Sequence, residues 1–483
     1  MSSRHNPTQK TPHQITFTRR SFLRYAGAGG GLLLLTACAA PAGTSSAGSS
    51  GAAAGASAAG TEGEAVTMSF WTPGGSQPFC QGFNTMAADF MKSNPGITIE
   101  EAQCYAGQDS YNEVLLSAIA GGTPPDATVL WTSPAAFAVR SVLEPLDDFM
   151  ATSQAAKASD WGPGVLASCQ VGGKTYGLPV TASTYGIYYN PNMLDAKGIP
   201  SKPEDFPKTW DELRRLSAEF VVWNGDTLEQ VGFLPWTDAV QTTIWSAANG
   251  TQIYDAANQK YTMDSEQNVE MFQFLVDWLD EQYRGDWVAV QSAANWGGAV
   301  DAQGRPPMFP GGKTLGMMDG FWYAGDFYTN DAAFDNWLVT GVPVGPSGSK
   351  EVSGYWPNWL VIPKGTDHAA DMFKYFDYIA GQGVLTWYAV TPDLPASAAV
   401  PSIPAPASLV ERRGQEFADA TTTFFRKQLD IAAPMWNSPV QDFANDQLTR
   451  ASERILSKEA PVADVLAEAN AACQAELDKV LKG

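Results

Sequence analysis

The stretch that decides the fold opens with Val66-Thr67-Met68-Ser69-Phe70-Trp71, a β-rich run whose side chains alternate as they do in a strand. Helical and strand-like patterns then take turns along the chain. They are a helix over 80–93, a strand over 97–100, a helix over 111–120 and a strand over 127–131. Strands that alternate with helices predict a lobe built from right-handed βαβ units around a parallel sheet.

The sequence beyond residue 131 continues this mixture. Thr209 precedes a helical pattern that has Glu212 at its third position, which is the signature of a capping box. The other predicted elements are strands over 185–190 and 360–363 and helices over 266–283, 369–390 and 440–482. Residues 391–408 contain five prolines and are predicted to connect elements rather than to form one.

Length and composition fit a folded protein of more than one domain. At 483 residues the chain is too long for one ordinary core. A hydrophobic share of 44% and a charged share of 17% are typical of a globular chain rather than a disordered one. The formal charge of −21 argues against binding to nucleic acid, because phosphate contacts need a basic surface.

Residues 1–37 have the pattern of an export signal. Thr18-Arg19-Arg20-Ser21-Phe22-Leu23-Arg24 resembles the twin-arginine signal. The apolar run from Tyr25 to Leu35 that follows is shorter than the about 20 residues that span a bilayer. Leu35-Thr36-Ala37-Cys38 resembles a bacterial lipobox, in which the cysteine is diacylated and becomes the first residue of the mature protein. We therefore expect an exported protein, anchored through Cys38 to the outer face of the cytoplasmic membrane.

Residues 38–65 are predicted to form a flexible tether, because Ala, Gly, Ser, Thr and Pro make up almost all of them and cannot bury a core. Removal of residues 1–37 takes away five basic residues and no acidic one, so the formal charge becomes −26. It also leaves His368 as the single histidine. No later run approaches the roughly 18 apolar residues of a membrane span, so we expect membrane contact through the lipid alone.

Ten short segments, in order over nearly 300 residues, carry a family resemblance. They are Phe70-Trp71, Asn94-Pro95-Gly96-Ile97, Ala120-Gly121-Gly122-Thr123-Pro124-Pro125-Asp126, Leu146-Asp147-Asp148-Phe149, Lys174 to Pro179 with Tyr188-Tyr189-Asn190, Thr209-Trp210-Asp211-Glu212-Leu213, Gly312-Lys313, Gly320-Phe321-Trp322, Pro343 to Gly348, and Ile362-Pro363-Lys364-Gly365. Together they resemble extracellular solute-binding protein family 1, the sugar-binding lipoproteins of ABC importers typified by maltose-binding protein.

The resemblance implies an α/β, two-lobed periplasmic-binding-protein fold of type II. Each lobe would have a mostly parallel sheet flanked by helices, with the ligand cleft between the lobes. The implied first lobe holds residues 66–181 and 350–395, and the second holds 182–349 and 396–483. The lobes would be joined by crossings near 180–183, 347–351 and 396–401. A monomer that delivers its ligand to the transmembrane subunits of an ABC permease is the implied assembly.

The chain is rich in aromatic residues, with 16 Trp, 16 Tyr and 23 Phe. Sugars present C–H faces ringed by hydroxyls, so aromatic rings cover the faces while Asp, Asn and Gln side chains bind the hydroxyls. Trp71 and Trp131 each end a predicted strand of the first lobe, where ligands bind in sheets of this kind. Core packing is the alternative for both rings.

The resemblance adds candidates from both lobes. Trp236 and Trp322 lie in segments similar to those that place stacking rings against the sugar in maltose-binding proteins, and Trp356 follows a crossing. The hydroxyl partners predicted beside these rings are Gln108, Asp109, Asp319 and Asn358. Solvent-exposed acids without a ligand are the alternative for the two Asp residues. No catalytic residue, metal or cofactor is expected.

Four cysteines remain after Cys38, in an oxidising compartment. Cys80 opens the first predicted helix and Cys104 follows the second strand, so both should lie at the same end of the sheet. We therefore expect a Cys80–Cys104 disulfide. Cys169 and Cys473 either form the remaining pair or are buried free thiols.

Two other functions stay open. A secreted glycosidase needs two positioned carboxylates, and among 51 acidic residues some pair is inevitable. Against an enzyme, the single His368 excludes an HExxH zinc site and strains any Ser-His-Asp triad. A protein that senses or adheres without transport has the same sequence features as an importer subunit. The ligand could be a monosaccharide, an oligosaccharide, a polyol or glycerol phosphate.

Overall fold

The computed structural model describes residues 65–74, 77–106, 108–235, 239–293, 308–325, 335–400, 402–433 and 437–482. The signal peptide, Cys38 and the tether predicted above therefore lie outside the described residues, as does Trp236. Within the described ranges, no helix is both long and apolar enough to cross a bilayer.

The strands follow one another at short intervals through the first 361 residues. They are β1 Val66–Met68, β2 Phe70–Gly74, β3 Ile97–Ile99, β4 Gln103–Ala106, β5 Ala127–Leu130, β6 Gln170–Val171, β7 Lys174–Thr175, β8 Leu178–Tyr189, β9 Val222–Asn224, β10 Thr227–Gln230, β11 Tyr254–Asp255, β12 Lys260–Tyr261, β13 Gly316–Gly320, β14 Leu338–Thr340 and β15 Tyr355–Val361.

The helices lie between these strands and make up most of the C-terminal part. They are α1 Gln77–Ser93, α2 Gln108–Ala120, α3 Ala135–Ala138, α4 Asp147–Thr152, α5 Pro163–Ala167, α6 Pro191–Asp195, α7 Trp210–Ala218, α8 Ala239–Ala248, α9 Glu266–Tyr283, α10 Trp287–Ala293, α11 Ala369–Tyr378, α12 Val384–Val390, α13 Ala407–Arg413, α14 Gln415–Gln428, α15 Gln441–Leu456 and α16 Val462–Lys482. A π-helical segment, Ile379–Gly383, joins α11 to α12.

The central sheet has the strand order β13-β8-β15-β5-β2-β4, and β14 also pairs with β8. β2 is parallel to β4 and β5, as the predicted βαβ pattern requires. β15 is antiparallel to β5 and β8, and β13 and β14 are antiparallel to β8. The prediction of a mostly parallel sheet in each lobe therefore needs correction, because the sheet is mixed. Side-chain alternation identifies a strand but does not say from which direction a distant segment returns beside it.

β8 connects the two parts of this sheet. All twelve of its residues are buried, and at about 3.3 Å per residue it is about 40 Å long. Its first half pairs with β15 and its second half with β13. The crossing predicted at 180–183 thus falls inside one continuous strand. Pro395 forms a bridge to Thr181 of this strand, so the segment that leads into the third predicted crossing lies beside it.

The buried apolar side chains form two large clusters and a smaller one. The first large cluster draws its members from 68–180 and 359–387. The second draws its members from 182–355 and 440–477. The smaller cluster joins Tyr188 of β8 to Phe425 of α14 and Leu394. Two separate large cores are what a two-lobed α/β protein requires, and the lobe boundaries given above stay a prediction.

Local sequence signals account for several elements. Glu212 donates its backbone N–H to Oγ1 of Thr209 over 3.3 Å, and its carboxylate accepts the N–H of Thr209 over 3.1 Å, which confirms the capping box of α7. The first predicted strand is broken at Ser69, whose N–H and hydroxyl both donate to the Asp126 carboxylate. β2 then runs on to Gly74, so Trp71 does not end it.

The structure joins Cys80 of α1 to Cys104 of β4 in a disulfide, with the two Cα atoms 6.2 Å apart. Cys169 and Cys473 are free and buried in different large clusters, so they do not form a pair. Burial raises the pKa of both thiols, that of Cys473 to about 12. Both therefore stay protonated at neutral pH.

Candidate functional site

The carboxyl ends of the parallel strands β2, β4 and β5 lie at one edge of the sheet, where ligands bind in α/β folds. Trp131 follows β5 at this edge and is half-buried. Its indole N–H donates to Oδ1 of Asn358 over 2.8 Å. Its ring centroid lies 6.0 Å from that of Phe79 in α1. Trp131 is therefore held at one side and keeps part of its ring exposed.

Asn358 of β15 is the side chain that orients Trp131. It is only 4% exposed. Its amide donates to Oγ1 of Thr181 over 2.7 Å and to the Asp393 carboxylate over 3.4 Å, while its oxygen accepts from Trp131. Both ends of the amide are thus used inside the protein. The geometry supports a role in positioning the ring, and it leaves little of Asn358 for the predicted contact to a ligand hydroxyl.

Asp393 is buried where the chain runs back beside β8. Its carboxylate accepts from the hydroxyl of Ser183 over 2.8 Å and from the indole N–H of Trp387 over 3.1 Å, in addition to Asn358. We call Ser183, Asn358, Trp387 and Asp393 the crossing network. It fastens β8, β15 and α12 to one another at the level where the two large cores meet.

Trp71 does not join Trp131, and the prediction that it lies at the carboxyl end of its strand is wrong. It is the second residue of β2 and pairs with Thr128 of β5, three residues before Trp131, or about 10 Å along the strand direction. The centroid of its ring lies 5.1 Å from that of Tyr105, and its side chain lines a pocket together with Glu100 and Glu101. Pro73 remains in the strand because β2 pairs there with β4 alone, and an edge position does not need a proline N–H.

Trp322 follows the end of β13 on the other side of β8. Its half-buried ring meets Tyr185 edge to face, with the centroids 5.2 Å apart. A Cβ on Gly320 would lie 2.3 Å from atoms of this ring, so only glycine at position 320 lets the ring fold back over the strand end. The glycine of the Gly-Phe-Trp segment is therefore required on steric grounds. The next residue, Phe321, is buried in the core.

Trp356 and Asp319 flank the same stretch of β8. Trp356 of β15 pairs with Ser183 and is half-buried against the second large cluster. Asp319 of β13 is opposite Gly186 and accepts the N–H of Gly320 over 2.7 Å. Trp322 and Trp356 therefore come from the two strands on either side of β8, at nearly the same level.

Two predicted partners, Gln108 and Asp109, open α2, but their side chains lie outside the described part of the structure. The next turn of α2 is described. The hydroxyls of Tyr111 and Thr128 share a hydrogen bond, and burial raises the pKa of Tyr111, so it stays neutral at physiological pH.

A set of polar contacts between the two large cores was not predicted. The Asp442 carboxylate, on the first turn of α15, accepts from the amide of Asn112 over 3.1 Å and from the hydroxyl of Thr132 over 3.0 Å. Beside it, the N–H of Ser133 donates to the side chain of Gln441 over 3.3 Å. The sequence shows a helix start near residue 440, but nothing in it pairs residues more than 300 positions apart.

These features define the class of the protein, a two-lobed α/β binding protein of type II with aromatic side chains at the strand ends of both lobes. The family model for bacterial extracellular solute-binding proteins matches residues 78–384, and the chain belongs to that family.

Known relatives agree with this assignment. The arabinooligosaccharide-binding protein of Halalkalibacterium halodurans is 23% identical over 327 residues, which cover 64% of this chain and 67% of that protein. An ABC substrate-binding protein from Listeria monocytogenes in complex with cycloalternan has a TM-score of 0.68 and 17% identity, covering 87% of this chain and 100% of its own. The GacH receptor of Streptomyces glaucescens, solved unliganded and with acarbose, has a TM-score of 0.66 and 21% identity, covering 86% and 99%. At these identities the solved structures establish the shared fold.

Proposed function

We propose that this chain is the substrate-binding subunit of an ABC importer, which captures a carbohydrate between its lobes and delivers it to the permease. The observation that carries the proposal is the pair of half-buried rings held at strand ends, Trp131 in the first lobe and Trp322 in the second. Each ring is fixed by contacts with the protein and is only half-buried, so part of its surface can cover a ligand. That is the arrangement a sugar C–H face requires.

The proposed ligand contacts are Trp131, Trp322 and Trp356, with Asp319 as a hydroxyl partner. Trp236, Gln108 and Asp109 remain predicted contacts on the strength of the sequence alone. Trp71 is left out because β2 carries it away from the strand ends. The named relatives of known ligand bind oligosaccharides or related compounds, which favours that class over polyols.

A ligand that touches rings from both lobes favours the closed arrangement, because only closure lets both surfaces contact it. The proposed lobes are 66–181 with 350–395 and 182–349 with 396–483. The continuous strand β8 and the crossing network would then form the hinge. Closure would be the state that the permease recognises.

The family is extracellular, so the protein is exported. We infer that export uses the twin-arginine signal and that Cys38 carries the lipid anchor. Replacing Arg19 and Arg20 together by lysine should stop export. Normal export of the unaltered protein in cells that lack the twin-arginine translocase would disprove the route and leave the anchor untouched.

A thermal-shift screen of mono- and oligosaccharides, polyols and glycerol phosphate tests the ligand class. A binder at 100 times its Kd should stabilise the protein by about 2.7 kcal/mol. Calorimetry on each hit then gives the affinity, and product analysis after incubation should find the sugar intact. Stabilisation by amino acids or peptides but by no carbohydrate would overturn the ligand class. Release of a shorter sugar would instead favour the glycosidase alternative.

A further inference from the structure

Asp442 joins the two lobes at the edge of the cleft. Its helix, α15, belongs to the second lobe, because Ala444, Leu448 and Ala451 are buried in the second large cluster. Its two donors belong to the first lobe. Thr132 lies two residues beyond the carboxyl end of β5, and Asn112 is on α2 beside Tyr111 of the first large cluster.

The donors are buried while the acceptor is not. Asn112 is 6% exposed and Thr132 is fully buried, whereas Asp442 is an exposed residue. The amide of Asn112 also donates to Oγ1 of Thr132 over 2.8 Å, so the two donors hold each other in place. The first lobe thus presents a fixed pair of donors, and the second lobe presents one carboxylate that accepts from both.

In the proposed closure, these hydrogen bonds form only while the lobes are together. Thr132 and Ser133 lie at the strand ends that line the cleft, so rotation about the crossing network would pull α15 away from them. A bond that is present in the closed form and absent in the open form shifts the equilibrium between the two by its own free energy. It therefore affects ligand affinity without contact to the ligand.

We propose that Asp442 is a positioning residue that acts as a latch, accepting hydrogen bonds from Asn112 and Thr132 to favour the closed form and raise ligand affinity. The latch deepens the proposed function, on which its link to affinity rests. The latch should contribute the same free energy to the binding of every ligand, because Asp442 contacts the other lobe and not the sugar.

The test is a double-mutant cycle on Asp442→Ala and Asn112→Leu, with affinity measured by calorimetry for two different saccharides from the screen. Leucine has a similar shape to asparagine. Asn112→Leu also removes the hydrogen bond from Asn112 to Thr132 inside the first lobe, and the cycle cancels this loss because it occurs with and without the Asp442 carboxylate. Asn112→Leu should weaken binding about tenfold, since a hydrogen bond to a charged group is worth about 1.5 kcal/mol or more, and Asp442→Ala should weaken it at least as much because it removes both bonds. The double variant should bind no more weakly than Asp442→Ala, and both saccharides should lose the same factor.

Asp446→Ala is the matched control, because Asp446 is an exposed acid one turn further along α15 and pairs only at 4.0 Å with Arg450. It should leave affinity unchanged. Losses that multiply in the double variant, or that differ between the two saccharides, would overturn the latch and make Asp442 an ordinary ligand contact. An unchanged affinity in Asp442→Ala would overturn it outright.

A measurement without ligand separates the latch from the proposed function. Spin labels on one exposed position of each lobe report the distance between the lobes in the ligand-free protein. Asp442→Ala should shift this distribution toward longer distances than in the parent and in Asp446→Ala. The same distribution in all three proteins would refute the latch even if every saccharide failed to bind. If Asp442→Ala shifts the distribution toward longer distances but no saccharide binds the parent protein, the latch is supported and a carbohydrate is rejected as the ligand.

Discussion

Truncation of Trp322 tests the proposed site most directly. A tryptophan side chain buries about 150–250 Å² when fully covered. Since the ring is already half-buried against Tyr185 and Gly320, a ligand can cover on the order of 100 Å² more, which at about 25 cal/mol per Å² is worth roughly 2.5 kcal/mol. Trp322→Ala should therefore weaken ligand binding by up to about 60-fold, because about 1.4 kcal/mol corresponds to a factor of ten.

The packed half of the ring also contributes to folding, so the melting temperature of Trp322→Ala should fall as well. A matched control separates the two effects. Trp223 is another half-buried tryptophan, and it lies on β9, outside the central sheet. The Arg284 guanidinium is 4.1 Å from the centroid of its ring, and its indole N–H donates to the Gln282 carbonyl. Trp223→Ala should lower the melting temperature and leave affinity unchanged. Equal affinities for the two variants and the parent in a calorimetric titration would remove Trp322 from the site.

Three further changes probe other parts of the molecule. Trp131→Phe keeps a ring but removes the indole N–H that donates to Asn358. Calorimetry should show affinity about 2- to 12-fold weaker, the equivalent of roughly 0.5–1.5 kcal/mol. Unchanged affinity would mean that the hydrogen bond does not orient the ring. Gly320→Ala forces the neighbouring indole to move and should weaken binding and shift tryptophan fluorescence, whereas Gly96→Ala, where a Cβ meets nothing within 4 Å, should do neither. Cys38→Ala should release the protein from the membrane in soluble form, and a variant that stays membrane-bound with its lipid label intact would disprove the anchor.

Sequence patterns predicted elements best where the signal is local. Helix α9 has the predicted bounds, and the Thr209 capping box forms as expected, because periodicity and capping depend on residues close in sequence. β8 shows the limit of this reasoning. Its run from Val180 to Ser183 was predicted as a crossing, but β15 supplies a hydrogen-bonding neighbour from more than 170 residues away, and the strand continues through it.

The candidate site likewise contains residues that the sequence could identify and residues that it could not. Trp131 could be chosen from the sequence because it ends a predicted strand, and Trp322 because its segment resembles one that places a stacking ring against the sugar in maltose-binding proteins. Asn358 could be singled out but not assigned its part, since its partner Trp131 is 227 residues away. Asp442 could not be found at all, because an acid on the first turn of a helix is common for reasons that concern the helix alone.

The crossing network and the hydrogen bonds of Asp442 differ in the free energy needed to break them. This difference gives each a separate role in the proposed closure. In the crossing network, Asn358 and Asp393 are buried, so each lost bond would leave a polar group without water or a partner. We therefore expect that network to stay intact during closure and to fix Trp131 to the proposed hinge through Asn358. Asp442 is exposed, so its carboxylate can exchange the two bonds for water as the lobes part. In the proposed closure, Trp131 would therefore keep its position while the second lobe moves, and the contact that breaks would be the one that water can replace.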